Sequence, residues 1–323
     1  MKKLAWRFGA WSLLMIGILA LPAPAQEKPE KARVAVATSS MAFLVPFIAK
    51  DRGFYLKQGA EVELIQMRPN IAVAALLSGD IDYIELIGSA IRSAARGLPI
   101  RAISTSIKSP FFSVIAQNKF KSVKDLKGAT IGIASIGGTS HISTRLTLKE
   151  FGLDPEKDVK LIAIGDEKLI YDAFKIGRTE AVVLAPPYSI QLKREGFPVL
   201  ANTAQYVTIP FSGLGTTLDR IKSNRAQIKK LLKAEIEALR YLRDNPAGTV
   251  EVIRKRFSMD KTARESYDVV VDAFSRDGRV PLDGVDILLQ IEKDQKLIPT
   301  TVTPKMVVDA SLVEEALKEL GGK

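Results

Sequence analysis

Residues 33–66 read as strand, hydroxyl turn, helix, glycine stop and strand, and this order restricts the fold more than any other stretch. Val34 and Val36 belong to a short, β-branched, apolar run of the kind that forms a buried strand. Thr38, Ser39 and Ser40 follow at once. Hydroxyl residues favour helix N-caps because their oxygens accept backbone N–H groups that the first turn leaves unpaired. Phe43, Leu44, Phe47 and Ile48 then recur at spacings of three and four, on one helical face. Gly53 is suited to ending that helix, since glycine tolerates positive φ. Val62, Leu64 and Ile65 open a second strand. The unit is βαβ, with its hydroxyl turn at the carboxyl end of the first strand, the edge at which open α/β sheets collect ligands. Two roles are open to Ser39 and Ser40: capping the helix, and holding a ligand.

The same alternation continues. A small-residue helix over 71–77 ends at Ser78-Gly79-Asp80, and a strand over 81–86 leads into Gly88-Ser89, the start of a helix with Ala90, Ile91, Ala94 and Ala95 on its packing face. A fourth strand spans 100–104 and a strand-like run spans 111–117. After the polar stretch 122–128 a strand over 129–134 runs into Ser135-Ile136-Gly137-Gly138-Thr139-Ser140 and a helix over 142–151. Glycines and hydroxyls at a strand-to-helix turn make an anion cradle, because backbone N–H groups and the helix dipole converge there. No Gly-Lys-Ser/Thr follows, so this is not a Walker loop, and the dinucleotide pattern G-x-G-x-x-G is absent. Strands over 159–164 and 181–185 follow, the second ending in Pro186-Pro187-Tyr188, and further strand-like runs lie at 199–201 and 209–217. Alternating strands and helices of this length predict parallel sheets covered on both faces. From Asn224 a long helix is expected, with Ile228, Leu231, Leu232, Ile236, Leu239 and Leu242 inward. Arg225, Lys229, Lys230, Lys233, Arg240 and Arg243 would form its solvated side, Pro246 its end, and three or four more helices would run to Leu320.

At 323 residues the chain has room for two domains. It contains no cysteine and one histidine, His141. That rules out disulfides, thiolate chemistry, an N-terminal lipid on cysteine and a multi-histidine metal site. Neither a cofactor nor a metal is expected. The net charge of +11 falls to +8 without Lys2, Lys3 and Arg7, and it is spread without a basic stripe of interleaved aromatics. Nucleic acid is therefore not an expected partner; a mild preference for anionic ligands is. Those three cations precede an apolar run over 11–21 and Ala23-Pro24-Ala25, the pattern of a cleaved secretory leader over 1–25. The run is about half the ~20 residues that a spanning helix needs.

Several stretches together resemble the periplasmic solute-binding proteins of nitrate, sulfonate and taurine ABC importers, a group similar to the thiamine-pyrimidine synthesis proteins. They are Asp51-Arg52-Gly53-Phe54-Tyr55, Ser78-Gly79-Asp80-Ile81-Asp82, Lys124-Asp125-Leu126-Lys127-Gly128 ahead of Ile131-Gly132, Gly137-Gly138-Thr139-Ser140 and Pro186-Pro187-Tyr188. The resemblance covers roughly residues 32–320. It implies an α/β, two-lobed, type II periplasmic binding fold, each lobe a mainly parallel sheet flanked by helices, the two joined by crossover strands. Lobe 1 would be 32–115 plus 212–323, and lobe 2 would be 116–211. It also implies a periplasmic, monomeric protein that carries a small solute to a membrane permease and its ATPase subunits. The ligand would meet Ser39, Ser40, Met41, Glu85, Gly88, Ser89, Phe111, Gly137, Gly138, Thr139, Ser140, Pro187 and Tyr188. Glu85 departs from a plain anion site: it pairs with a ligand amine or an arginine, or it faces away.

Other functions fit less well. A hydrolase would draw on Ser140 or Ser143 with His141, but helix neighbours one and two apart do not face each other. The pyrimidine-synthesis resemblance implies cysteine and histidine chemistry, which a cysteine-free chain does not supply. A ligand-sensing domain of a transcription regulator would not need a secretory leader. The receptor of a tripartite transporter shares compartment and fold with the favoured reading. No catalytic residue is expected.

Overall fold

A computed structural model describes residues 28–37 and 39–321; the expected leader and Thr38 lie outside the described residues. In chain order the first half gives β1 (Glu30–Val36), α1 (Leu44–Asp51), α2 (Phe54–Lys57), β2 (Ala60–Gln66), α3 (Pro69–Ser78), β3 (Tyr83–Ile84), α4 (Ile87–Ala95) and β4 (Ile100–Ala102). Then come β5 (Ser113–Ala116), β6 (Thr130–Ile133), α5 (Thr139–Glu150), β7 (Lys160–Ala163), α6 (Glu167–Lys175), β8 (Ala181–Leu184), α7 (Tyr188–Arg194) and β9 (Val199–Asn202). The chain returns through β10 (Gly215–Thr217) to α8 (Leu218–Ser223), α9 (Arg225–Asp244), α10 (Pro246–Phe257), α11 (Ala263–Val270), α12 (Leu282–Asp294), α13 (Pro304–Val307) and α14 (Ser311–Glu319).

The strands form two five-stranded sheets, β2-β1-β3-β10-β4 and β7-β6-β8-β5-β9. In each, one strand runs against the other four: β10 in the first, β5 in the second. The fold is thus two α/β lobes, each with a mainly parallel sheet, as the resemblance implied. Two segments, 103–112 and 203–214, cross between the sheets. They pair with each other, Ser106 and Ile107 N–H donating to the Ser212 carbonyl (2.9 and 3.1 Å) and Phe211 N–H to that of Ile107 (2.9 Å). Gly213 makes their approach feasible. Its φ is +154°, and a Cβ there would lie 2.2 Å from the Ser104 carbonyl oxygen.

The expected βαβ unit forms as read, with Gly53 at φ +74° ending α1. Three expectations need correction. The strands expected over 81–86, 100–104 and 209–217 shrink to two or three residues; the last two give residues to the crossing segments, and the first turns into α4 at Ile87. Five helices, not three or four, follow α9 among the described residues; Pro246 does not merely stop α9 but opens α10, where proline costs no hydrogen bond. The basic side of α9 is also not simply solvated. Lys229 and Lys233 reach Glu319 (2.6 and 3.0 Å), Arg225 pairs with Glu315 and Lys230 with Glu30, tying α9 to α14 and β1. The apolar face of α9 is buried as expected. No helix among the described residues is long and apolar enough to cross a membrane.

Candidate functional site

Strands β1 and β3 of the first sheet lead into Ser39-Ser40 and Gly88-Ser89, and β6 and β8 of the second lead into 134–138 and 185–187. Each turn enters a helix, whose first N–H groups have no acceptor within the helix and face any ligand at the edge. Ile142, in the first turn of α5, is buried in an apolar cluster that also holds Phe43, Leu86 and Ile87 of the first lobe, and Leu146 packs against that cluster.

At that edge Ser39 is exposed, while Ser40, Gly88, Ser89, Thr139, Pro187 and Tyr188 are half-buried. Gly137 is exposed with φ +76°, a left-handed turn that glycine adopts without strain. Gly138 has little spare room, since a Cβ there would sit 2.4 Å from Ser135 Oγ. Pro187 follows a cis peptide bond and precedes α7, whose Tyr188 ring tilts against Tyr171 at 5.5 Å.

Other expected site residues serve the frame. Met41 is 1% exposed and Phe111 3%. The Phe111 ring packs edge-on against Phe211 (5.5 Å) and stacks with Phe274 (6.3 Å), inside the crossing. Ser140 is buried, and its Oγ accepts the Ala134 N–H at 3.3 Å, so it braces the turn. Glu85 has no exposed surface: its Oε1 accepts from Ser106 Oγ (2.6 Å) and Ser212 Oγ (3.3 Å). The structure places Glu85 in the crossing rather than on the ligand side, and no arginine pairs with it. The side chain faces away because the strand end next to it abuts both crossing segments.

Neither serine of the hydrolase alternative bonds to His141. Ser143 Oγ donates to the Thr139 carbonyl (2.7 Å), and His141 Nδ1 accepts the Gly137 N–H (3.1 Å). Burial, with Arg145 nearby, holds the His141 pKa below its usual range, so the imidazole is neutral and stiffens the glycine turn.

Two residues of interest escaped the sequence reading. The guanidinium of Arg92 folds back along α4 over Gly88, where a Cβ would lie 3.4 Å from Nη1. It makes no hydrogen bond or close ion pair among the described residues. Burial lowers its pKa, Glu292 opposing and Arg96 reinforcing that effect through space. Helical side chains lean toward the N-terminus, so an arginine four residues after a glycine was a readable signal. Glu167, in the first turn of α6, is half-buried; burial pushes its carboxyl up to about 8 despite a hydrogen bond to the Ala185 backbone. Nothing in the local sequence announces that, because its neighbours come from β8. Among the described residues no group of three His, Cys, Asp or Glu residues is placed to hold a metal. A cavity of about 670 Å³ opens at the other end of β1, lined by Lys31, Arg33, Lys50, Glu61, Glu63 and Asp82, whose charges cancel.

Compared with known families, residues 40–249 match the model described as NMT1/THI5 like. YtlA of Bacillus subtilis (strain 168) is 25% identical over 318 residues, 94% of this chain and 93% of that protein. The 4-amino-5-hydroxymethyl-2-methylpyrimidine phosphate synthase of Schizosaccharomyces pombe is 29% identical over 113 residues, 34% of this chain and 32% of the enzyme. Among solved structures, the periplasmic aliphatic sulphonate binding protein SsuA from Escherichia coli superposes with a TM-score of 0.70 at 20% identity, covering 88% of this chain and 99% of that one.

Proposed function

The chain belongs to the NMT1/THI5-like family, and from that premise we propose that it is an extracytoplasmic solute-binding protein of an ABC importer. It captures a small organic anion, sulfonate- or carboxylate-like, between lobes 32–115 plus 212–323 and 116–211, and presents it to a membrane permease. The observation that carries this reading is Ile142 of α5, buried in one apolar cluster with Phe43, Leu86 and Ile87 of the other lobe, and the Arg92 guanidinium over Gly88, without a hydrogen-bond partner among the described residues. Backbone N–H groups and a guanidinium favour anions, and a fork of N–H donors suits a planar or trigonal oxyanion group. A neutral Glu167 nearby would donate a hydrogen bond without repelling the anion.

A site shared by two lobes is completed only when they close, so ligand contacts supply the free energy that favours the closed form. The leader over 1–25 would direct the chain to the periplasm, where it acts as a monomer. No bond is made or broken: the serine hydroxyls and His141 are committed to the frame, and the enzyme relative aligns over a third of the chain.

The test is a thermal-shift series of alkyl sulfonates, carboxylates, nitrate and amines. The true ligand, at 100 times its dissociation constant, stabilises the protein by about 2.7 kcal/mol. It should be recovered chemically intact and should shrink the radius of gyration in solution scattering. Gly137→Asp should abolish the response, because it sets a carboxylate where N–H groups meet the anion. A panel in which only amines stabilise the protein would refute the anion site, and a chemically altered ligand would refute the binder.

A further inference from the structure

Glu85 and Glu235 are the least exposed carboxylates among the described residues, at 0% and 3%. The next two differ in kind: Asp82 pairs with Arg220 (2.5 Å) and Glu292 with Arg96 (2.6 Å). Glu85 and Glu235 have no cation. Glu85 accepts one hydroxyl from each crossing segment, Ser106 and Ser212, and Glu235, on α9, accepts from Tyr55 Oη at 2.9 Å. The second oxygen of each carboxyl, together with Ser104 Oγ and Thr105 Oγ1, has no partner among the described residues. Ser104, Thr105, Ser106, Glu235 and Gly278 line one narrow space without room for a water molecule.

An isolated carboxylate in such a place costs several kcal/mol, and two without a cation cost more, so the pair binds a proton instead. Protonation turns an unpartnered acceptor into a donor. We propose that Glu85 and Glu235 form a buried proton site that fastens the two crossing segments, and that losing the proton loosens the hinge. The hinge half rests on the two-lobe binding reading; the proton site does not.

The surroundings contain no substitute for the proton. Tyr55 from α2 is the third titratable group, and burial raises its pKa, keeping it a donor. The 273–278 loop is tied to the crossing by Thr105 N–H to the Gly278 carbonyl (2.7 Å) and Ser275 N–H to that of Ser106 (2.9 Å). Its Asp277 pairs with Arg279, which also holds Glu314. Arg243 donates to the Phe274 and Ser275 carbonyls. On β1, Arg33 pairs with Asp82 and Glu30 with Lys230; on α1, Asp51 pairs with Arg256. Among the described residues no Lys or Arg acts on Glu85 or Glu235. Burial raises Glu85 from 4.5 to about 7, the Ser106 and Ser212 bonds opposing it. Burial and the Glu85 charge raise Glu235, the Tyr55 bond opposing.

Both carboxyls are raised on folding, so the folded state holds the extra proton between the unfolded value near 4.5 and about 7. Stability from this source is complete at the acid end and is lost as pH rises through that window. Infrared spectroscopy of the purified protein at pH 6, where exposed carboxyls are ionised, should show the carbonyl stretch of protonated carboxylic acids, part of it from Glu167. Glu85→Gln and Glu235→Gln should diminish it, and in Glu167→Gln the share of the pair should remain. A Glu167→Gln protein with no such band overturns the proton site, even if a Glu85 or Glu235 variant fails to fold. Amide exchange at Ser106, Ile107 and Phe211, corrected for its intrinsic pH dependence, should then speed up by as much as ~10-fold per pH unit for each proton lost. Exchange that is flat with pH overturns the fastening. Failure of the ligand screen with the band present strikes the binding reading and leaves the proton site standing.

Discussion

The two lobes share a strand order but differ at the place where each meets the crossing. In the first sheet Ile84, the last residue of β3, lies opposite Gly215 of the antiparallel strand; in the second, Leu184 of β8 lies opposite Ser113. The residue that follows is Glu85 in one lobe and Ala185 in the other, both buried. An apolar alanine suffices to build this position. The carboxylate is therefore not demanded by the topology, and its hydroxyl partners from both crossing segments point to control of the hinge. The helix starts differ as well. Beside α4 the first lobe carries a guanidinium without a hydrogen-bond partner among the described residues, whereas beside α5 the second carries a neutral histidine bonded to its own glycine turn. On the proposed reading one lobe would supply charge for an anion and the other a stiff cradle.

The largest expected effect comes from making the lobes alike. Ala185→Glu buries a carboxylate with no Ser106 or Ser212 to meet it and should cost about 3–5 kcal/mol in denaturant unfolding. A loss below about 1 kcal/mol would show that either lobe tolerates a carboxyl there. Gly213→Ala sets a Cβ against the backbone of Ser104 and Thr105, at 2.2 and 2.7 Å, and should cost about 2–3 kcal/mol. In the second sheet Gly132→Ala meets mainly the mobile tip of Ile164, at 2.7 Å, and should cost about 1–2 kcal/mol. Equal losses in those two variants would remove the special tightness claimed for the crossing.

Arg92→Ala should weaken anion binding ~10–100-fold in calorimetry, the loss of a charge-assisted hydrogen bond, with little change in melting temperature. Unchanged affinity would hand the charge role to the second lobe. The smallest effect is expected at Arg194, which reaches from α7 to Glu265 of α11 at 2.9 Å and to the Lys261 carbonyl. Both side chains are partly exposed, so Arg194→Ala should cost less than about 1 kcal/mol. A larger loss would mean that this pair, rather than the crossing, holds the lobes.

Much of this was legible along the chain because it is local. The periodicity of 43–48, the glycine at 53 and the hydroxyl turns at 39–40, 88–89 and 137–140 state their conformations within a few residues, and the apolar face of α9 names its own buried side. The α/β class of the fold follows from that pattern; its division into two lobes came with the family resemblance. Tertiary structure decided what depends on neighbours distant in sequence. Glu85 reads as a residue at a strand end, yet its bonds go to Ser106 and Ser212, 21 and 127 residues away. Phe111 reads as cleft-lining and lies among Phe211 and Phe274. The lysines of α9 read as solvated and pair with acids on α14 and β1. A pattern along the chain reports which face of an element is apolar; which groups meet a buried charge is set only when the crossing segments and the C-terminal helices close over it.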